Sequence, residues 1–419
     1  DELYSFGLAN SEYLPFLHFG EMEYSVKDWM LEYGAGESPL DLVRNLAKDF
    51  RILRENGFRF RDSEIYLNYL RAQANSADTK TTTWMSGKDY LEYLAASWES
   101  RFNYASVYYN QRGDVHPPLF YVGLHTLSSF FPERFSKWLG LAPNFLYMLL
   151  VLLVLYHMVS RYLGGRKAAL VTVAVYGLSK AMITTAIFLR MYALLTLMVL
   201  WCCDSHLELM AREDRMDKGL RRRLGLSVLL GYLTHYYFVV YVLALALVAS
   251  CHMIYRNRWK ELLRYVLTMA GCACVGLLVW PFAIKHMFFG YRGRDSLSVL
   301  GGGQYSVWRL QYMSGNFIGN LWDGHKVFPF VLLAGIGAGV TALWILGMVR
   351  KREGAGRIPW EKILLVGVPV LVYVMLVSQI TPFLDDRYIS CLYPFFCIFF
   401  VCGAALLTQR VSERFAKVP

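Results

Sequence analysis

Long apolar runs constrain the fold more than any other feature of this 419-residue chain. The runs at 144–159, 241–254 and 363–377 have no polar face. A helix that is apolar on every side is buried all round, and about 20 such residues cross a bilayer. Hydrophobic residues make up 56% of the chain and charged residues 18%, below the roughly 25% of soluble domains. The sequence therefore predicts an all-α, polytopic membrane protein.

Apolar segments of suitable length predict about nine transmembrane helices. Their ranges are 138–160, 168–186, 191–211, 224–238, 239–255, 262–284, 327–349, 362–380 and 389–408. The stretch 224–255 is long for one crossing and short for two. We interpret it as two short passes that meet at THYY (234–237), because the charge distribution requires both of its ends on one side.

The basic residues are concentrated between the predicted spans. Five clusters hold 21 Lys and Arg but 7 Asp and Glu, while the whole chain has a formal net charge of +11; they lie at 161–167, 212–223, 256–264, 350–362 and 410–417. Short cytoplasmic loops of membrane proteins carry such an excess. The positive charge therefore indicates topology, and we expect membrane lipids rather than nucleic acid as its partners.

This topology places residues 1–131 on the extracytoplasmic side, and we expect a further transmembrane helix before Asp1. Helical periodicity predicts helices over 40–56, 63–75 and 87–102, with a polar link at 76–83. The apolar segment 119–131 is too short to span and is expected to lie along the membrane face. Residues 132–419 form the predicted multi-pass domain, with a second extracytoplasmic segment at 285–326. The expected location is a bacterial plasma membrane.

Several ionisable residues are predicted at the same outer depth of the membrane. They are Asp1, Glu2, Asp114, His116, Arg190, His235 and Arg387, the last followed by Tyr388. Charge near hydrocarbon is costly and tends to mark a polar cavity or a substrate path. Each residue also has a simpler explanation: a solvated chain start for Asp1-Glu2, a helix cap for Asp114, a loop or turn for the two histidines, and interface anchors for the arginines.

The combination of acids and arginines at a bilayer surface suits one kind of chemistry. A carboxylate within hydrogen-bond reach of an acceptor hydroxyl acts as a general base. Arginines bind a phosphate through two parallel hydrogen bonds and stabilise it as a leaving group. Together these groups favour transfer from a lipid-linked phosphate donor.

In order and position, four motifs resemble those of the GT-C membrane glycosyltransferases. The motifs are DE at 1–2, DVHPPLFY at 114–121, RMY at 190–192 and RY at 387–388. The resemblance is to the branch that holds the protein O-mannosyltransferases and the lipid A aminoarabinose transferase, and it covers essentially the whole chain. It implies a GT-C-like helical bundle that transfers a sugar from a polyprenyl or dolichyl monophosphate to an acceptor hydroxyl, with inversion.

The resemblance also implies roles for individual residues. Asp1 matches the catalytic base and Glu2 its partner, while Asp114 and His116 match a motif that shapes the pocket floor. Arg190 and Arg387 match positions that contact the lipid phosphate, and we add His235 and Tyr388 as substrate-binding residues. No cofactor is implied. The outer loop has no Asp-x-Asp pair or His and carboxylate cluster at ligand spacing, so a metal-independent reaction is expected.

Two other functions stay open on the sequence alone. A transporter or lipid flippase favours charges at mid-span and broken helices in two related halves. Charge at mid-span is sparse here and no internal repeat is evident, which disfavours this alternative. A catalytically silent membrane scaffold, with the outer loop as a receptor, is the second alternative. The sugar, the acceptor and the oligomeric state are not encoded in any motif that we identify.

The predicted topology is tested by introducing single cysteines. In a background without the eight native cysteines, a cysteine at Ser86 or Gly302 is expected to react with a membrane-impermeant maleimide added outside intact cells. A cysteine at Gly354, within a basic cluster, is expected to react only after the membrane is opened. Labelling of Gly354→Cys in intact cells would contradict the charge argument.

Overall fold

The computed structural model describes residues 2–14, 86–213, 215–289, 291–301, 307–321 and 360–415. Every regular element within these residues is a helix, as predicted. Asp1, the predicted helices at 40–56 and 63–75, the link at 76–83 and the predicted span at 327–349 lie outside them. Residues 1–15 and 94–419 belong to one compact unit and residues 16–93 to another.

Four short helices come from the predicted extracytoplasmic segment: α1 (Glu2–Asn10), α2 (Gly87–Leu94), α3 (Tyr104–Gly113) and α4 (Leu119–Ser129). α1 packs against both α3 and α4. The helix expected over 87–102 ends at Leu94. Ser97 and Ser100 exchange backbone-to-hydroxyl hydrogen bonds of 2.9 Å there, and such bonds hold a turn in place of a helix.

The following helices form the apolar part of the fold. They are α5 (Trp138–Met158), α6 (Gly165–Gly177), α7 (Lys180–Ile187), α8 (Tyr192–Ala211), α9 (Lys218–Tyr232), α10 (Tyr237–Tyr255), α11 (Trp259–Val279), α12 (Tyr291–Gly301), α13 (Val307–Leu321), α14 (Trp360–Ile380) and α15 (Tyr393–Phe415). A π turn (Val159–Leu163) extends α5, and a 3-10 turn (Asp386–Leu392) precedes α15.

Six segments of the described residues are long and apolar enough to cross a membrane, and a bent pair of helices gives up to seven. The bent pair is α6 and α7, which meet at 59° where one straight span was predicted. Ser179 explains the bend, because its side chain accepts a hydrogen bond from the backbone N–H of Met182 and starts α7 in a new direction. These helices identify the chain as a membrane protein.

Within the described residues, one of the predicted spans is too short to cross a membrane. The span predicted at 224–238 corresponds to α9, which has 15 residues and a length of about 22 Å, short of the roughly 30 Å of hydrocarbon. Its N-cap is Asp217, which accepts from the backbone N–H of Leu220 at 2.7 Å, so the helix starts earlier than predicted. The expected turn at THYY is present between α9 and α10.

α8 lies at the centre of its unit and α11 at the periphery. In the apolar window of α8, 83% of the residues are buried, whereas in α11 the share is 11%. α8 contacts α5, α9 and α10 along its length, and α10 packs on α14. A helix that is apolar all round is suited to either position, so the pattern alone does not distinguish them.

Candidate functional site

Six of the seven predicted site residues that the structure describes belong to one polar cluster at the start of α8. We call it the α8-start cluster and define it as Tyr4, Asp114, His116, Arg190, Tyr192, His235, Arg387 and Tyr388. Its members come from α1, the loop between α3 and α4, the segment before α8, the turn between α9 and α10, and the 3-10 turn before α15. Glu2 lies at its edge, and Asp1 is outside the described residues.

Asp114 anchors the cluster and is only 3% exposed. Its backbone N–H donates to the carbonyls of Asn110 and Gln111 and so ends α3. Its carboxylate accepts a hydrogen bond from the Tyr4 hydroxyl at 3.1 Å and lies 2.6 Å from Nδ1 of His116. The carboxylate is therefore held from two sides by α1 and by its own loop.

Two prolines follow His116 and precede α4, and the second, Pro118, is the N-cap of that helix. Pro118 forms no side-chain cap, and neither does Asp114, so the simpler explanation of Asp114 as the cap of α4 is wrong. The backbone N–H of Leu119 donates to the carbonyl of Leu233 at 3.0 Å. This bond ties the DVHPP loop to the turn that carries His235.

Arg190 is 8% exposed and does not extend to the surface as an interface anchor does. Its Nη1 donates to Oγ of Ser5 at 3.4 Å, and its guanidinium lies 6.0 Å from the ring centre of Tyr4. The backbone N–H of Leu189 faces the Glu2 carboxylate at 3.5 Å. The start of α1 and the start of α8 are thus adjacent.

His235 and Tyr192 connect the two halves of the cluster. The ring of His235 lies 6.2 Å from that of His116 and 5.9 Å from that of Tyr192. Its Nδ1 also accepts from the backbone N–H of Tyr237 at 3.1 Å. His235 therefore closes the turn, as the simpler explanation expected, and also belongs to the cluster.

Arg387 and Tyr388 complete the cluster from the 3-10 turn. Nε of Arg387 lies 3.3 Å from the Asp385 carboxylate, and its guanidinium lies 5.2 Å from the ring centre of Tyr388. The ring of Tyr388 is in turn 6.4 Å from that of Tyr192. Arg387 is therefore linked to the Arg190 segment through two tyrosines.

Burial and charge fix the protonation of the Asp114–His116 pair. Burial disfavours the carboxylate, but attraction to His116 and Arg190 and a hydrogen bond from the Val115 backbone hold the pKa of Asp114 below its ordinary value. Burial and the positive charge of Arg190 lower the pKa of His116, against the attraction of Asp114. At neutral pH a neutral imidazole therefore donates its Nδ1 proton to a carboxylate and keeps Nε2 as an acceptor.

A second chain of hydrogen bonds supports the DVHPP loop from behind. The indole N–H of Trp280 donates to the Tyr236 hydroxyl at 2.9 Å, and that hydroxyl lies 2.6 Å from Nδ1 of His286. Nε2 of His286 faces the backbone carbonyl of Arg112 at 3.1 Å. Because a carbonyl only accepts, Nε2 carries the proton and Nδ1 accepts from Tyr236. His286 is 4% exposed, and burial lowers its pKa to about 4.

Sequence reasoning missed Tyr4, Tyr192, Tyr236 and His286. Tyr4 lies in α1, two residues after Glu2. Tyr192 belongs to the RMY motif and Tyr236 to THYY, but the motifs did not predict a role for either hydroxyl. No local signal identifies His286, which follows a predicted span and meets Arg112 only through the fold.

Among the described residues, no three His, Cys, Asp or Glu side chains form a group that fits a metal ion. That the proposed reaction is metal-independent remains a prediction. The cluster combines two guanidinium groups and a carboxylate–imidazole pair, with Glu2 at its edge. Such a set can bind an anion and accept a proton beside it.

No protein-family model, curated protein or solved structure matches this chain. The chemistry of the α8-start cluster therefore has to be argued from its own residues.

The neutral state of His286 predicts loss of stability in acid. Its pKa is about 4 in the fold and about 6.5 in an unfolded chain, so its contribution is complete above pH 6.5 and falls as the pH drops towards 4. At pH 5 the loss amounts to about 2 kcal/mol relative to pH 7. His286→Gln retains an amide that can form both hydrogen bonds but does not titrate, so its free energy of unfolding, measured in mixed micelles, should fall less between pH 7 and pH 5. An unchanged pH dependence would contradict the assignment.

Proposed function

We propose that this chain is an integral membrane glycosyltransferase that takes its sugar from a polyprenyl or dolichyl monophosphate. One observation carries the proposal: Asp114, His116, Arg190 and Arg387, each from a conspicuous motif and far apart in sequence, belong to one cluster at the end of apolar helices. A lipid-linked phosphate occupies that level of a membrane, between headgroup and hydrocarbon. The active site is proposed to face the extracytoplasmic side of a bacterial plasma membrane.

The two arginines have the chemistry for the phosphate. A guanidinium binds two phosphate oxygens in a planar fork, and it stays charged when partly desolvated. Arg190 is 8% exposed and is oriented by Ser5 and Tyr4. Arg387 is supported by Asp385 and lies over Tyr388. Because these contacts hold the guanidinium groups in place before the donor binds, less side-chain entropy is lost on binding.

The proposed reaction is a single displacement. The acceptor hydroxyl attacks the anomeric carbon of the sugar while the bond from that carbon to the phosphate oxygen breaks. The phosphate leaves as an anion against the arginines, and the hydroxyl proton passes to Asp1, the proposed base. Glu2, the first residue of α1, lies beside the backbone of Leu189, next to Arg190. That contact supports a position for the DE motif beside the phosphate site.

Two alternatives remain from other classes, a transporter or flippase and a silent scaffold. Coupling sites of transporters are built from broken helices near mid-membrane. Arg190 and Asp114 instead lie at helix ends, which favours chemistry at the membrane surface over passage through it. A scaffold would not need the ordered carboxylate–imidazole pair.

The proposal is tested first at the level of the substrate. Cells that lack the protein are compared with cells that regain it, by mass spectrometry of glycans and of polyprenyl-phosphate lipids. A transferase predicts that one sugar is lost from a glycan while its polyprenyl-phosphate form accumulates. Purified protein should then transfer that sugar in detergent. A flippase would restore the glycan in cells but show no transfer in detergent.

Arg190→Ala and Arg387→Ala are expected to weaken use of the donor. Each change removes a charge-assisted hydrogen-bonding group worth about 1.5–3 kcal/mol, so the KM for the donor should rise about ten- to a hundredfold. Lysine at either position should restore only part of the loss, because it cannot form the bidentate pair. Arg134→Ala, at an exposed residue before α5, is the control and should behave as wild type. Normal donor kinetics in both Ala variants would exclude the phosphate role.

Asp1→Asn in the full-length protein is expected to abolish most of the transfer while the donor still binds. The amide keeps the shape of the carboxylate and removes its basicity, and a positioned base contributes about 10²–10⁴ in rate. Glu2→Gln should cost less. Transfer rate and donor affinity are measured in the same membranes. A normal rate for Asp1→Asn with an inactive Glu2→Gln would move the base to Glu2, and full activity of both variants would remove the enzyme assignment from this motif.

A further inference from the structure

A groove runs between α9 and α11, and its arginine-lined end lies at the opposite end of α9 from the α8-start cluster. It has a volume of about 520 Å³, within the range of small-molecule sites. Its walls are mainly apolar and include Leu226, Leu229, Leu267 and Val275. Three arginines lie at one end: Arg221, Arg222 and Arg264. We call it the α9–α11 groove.

On both helices the arginines come first in the sequence and the apolar lining residues follow. Arg221 and Arg222 occupy the first turns of α9, and Arg264 occupies the second turn of α11. From there the lining extends to Leu229 on α9 and Val275 on α11. At 1.5 Å per residue these stretches are about 12 and 16 Å long. The groove is therefore cationic at one end and apolar along the rest.

We propose that the α9–α11 groove binds an anionic phospholipid, with its phosphate at the arginines and an acyl chain along the helices. One leaflet has a hydrocarbon depth of about 15 Å, half of the bilayer core, and the groove measured from its arginines to its far end has about that length. Arginines near the cytoplasmic leaflet attract anionic lipids by about 1 kcal/mol each. Charge and length thus match one occupant.

The arginines are available for such a ligand. Arg221 and Arg222 are exposed and make no ion pair within the described part of the chain. Arg264 pairs with Glu261 at 2.8 Å, yet its side chain is 62% exposed. A phosphate can therefore approach all three guanidinium groups without breaking a buried contact.

Small residues create the space for the chain. A Cβ added at Gly271 would meet no atom within 4 Å, so this position opens directly into the groove. A Cβ at Gly225 would meet Sγ of Cys272 at 3.3 Å, which shows how closely the floor is packed. Leu226, Leu267 and Val275 remain 43%, 63% and 45% exposed along the walls. An acyl chain would cover these apolar side chains.

This site is separate from the proposed donor site. α9 has 15 residues and a length of about 22 Å, and the arginines lie at its start while the cluster lies beyond its end. A donor phosphate bound at Arg190 and Arg387 cannot reach Arg221. The bound phospholipid would instead hold α9 against α11, and α9 ends at the turn that binds the DVHPP loop through Leu233.

The binding is tested with purified full-length protein in detergent micelles by native mass spectrometry. Phosphatidylglycerol is compared with phosphatidylcholine of the same acyl chains and with glycerol 3-phosphate, which has the anion but no chain. We expect phosphatidylglycerol to bind at least tenfold more tightly than phosphatidylcholine and to raise the thermal midpoint. Equal binding of the two lipids, or full competition by glycerol 3-phosphate, would overturn the proposal.

Two sets of variants localise the site. Arg221→Gln with Arg222→Gln removes two charges and should weaken phosphatidylglycerol binding by about thirtyfold, with phosphatidylcholine unaffected. Arg166→Gln with Lys167→Gln, at exposed residues of another basic cluster, is the matched control and should change little. A loss as large in this control would show a diffuse surface effect and overturn the proposal.

Gly271→Leu tests the acyl chain independently of charge. Leucine favours a helix more than glycine does and has room at this position, so the fold should be retained while the groove is filled. Binding of phosphatidylglycerol should fall at least tenfold. Unchanged lipid binding would exclude the groove as the chain site. A large fall in the thermal midpoint without lipid would indicate that protein already fills the groove and would also overturn the proposal.

Discussion

The burial of opposite charges beside the start of α8 is the constraint on which the rest of the site depends. Arg190 is 8% exposed and Asp114 is 3% exposed. Removing each charge from water costs several kcal/mol unless partners compensate for it. Ser5 and Tyr4 of α1 supply those partners, together with His116 from the same loop as Asp114. The segments therefore have to pack together before either charge is tolerated, so a substitution at these residues affects the fold of the site as well as its proposed chemistry.

α8 itself joins two polar regions with different partners. At its other end, Asp204 is 1% exposed and bonds to Nδ1 of His157 at 3.0 Å and to the Arg223 guanidinium. Glu208, one turn further along the helix, bonds to Arg223 as well. These contacts connect α5, α8 and α9 at the end where basic clusters were predicted. Asp204 and Glu208 are both matched by Arg223 from a neighbouring helix, which is a structural use of buried charge.

The sequence allowed the class of fold and most helices to be predicted, because apolar runs and basic clusters are local signals. It also identified Asp114, His116, Arg190 and Arg387 as a set, since charges at span ends are conspicuous. It could not predict the bend at Ser179, where one hydroxyl bond decides the direction of α7. Nor could it identify His286, whose role depends on meeting Arg112 at 3.1 Å across 174 residues.

The two groups of arginines differ in a way that suits them to different ligands. Arg190 is buried and fixed by a helix and a tyrosine ring, whereas Arg264 is 62% exposed beside a lipid-facing helix. A desolvated guanidinium interacts more strongly with a phosphate and selects its geometry, while an exposed one attracts any anionic headgroup through screened charge. The buried arginine at the start of α8 is therefore the one suited to the reacting phosphate of the proposed function. The groove between α9 and α11 is suited to abundant phospholipids, which a membrane supplies at high local concentration.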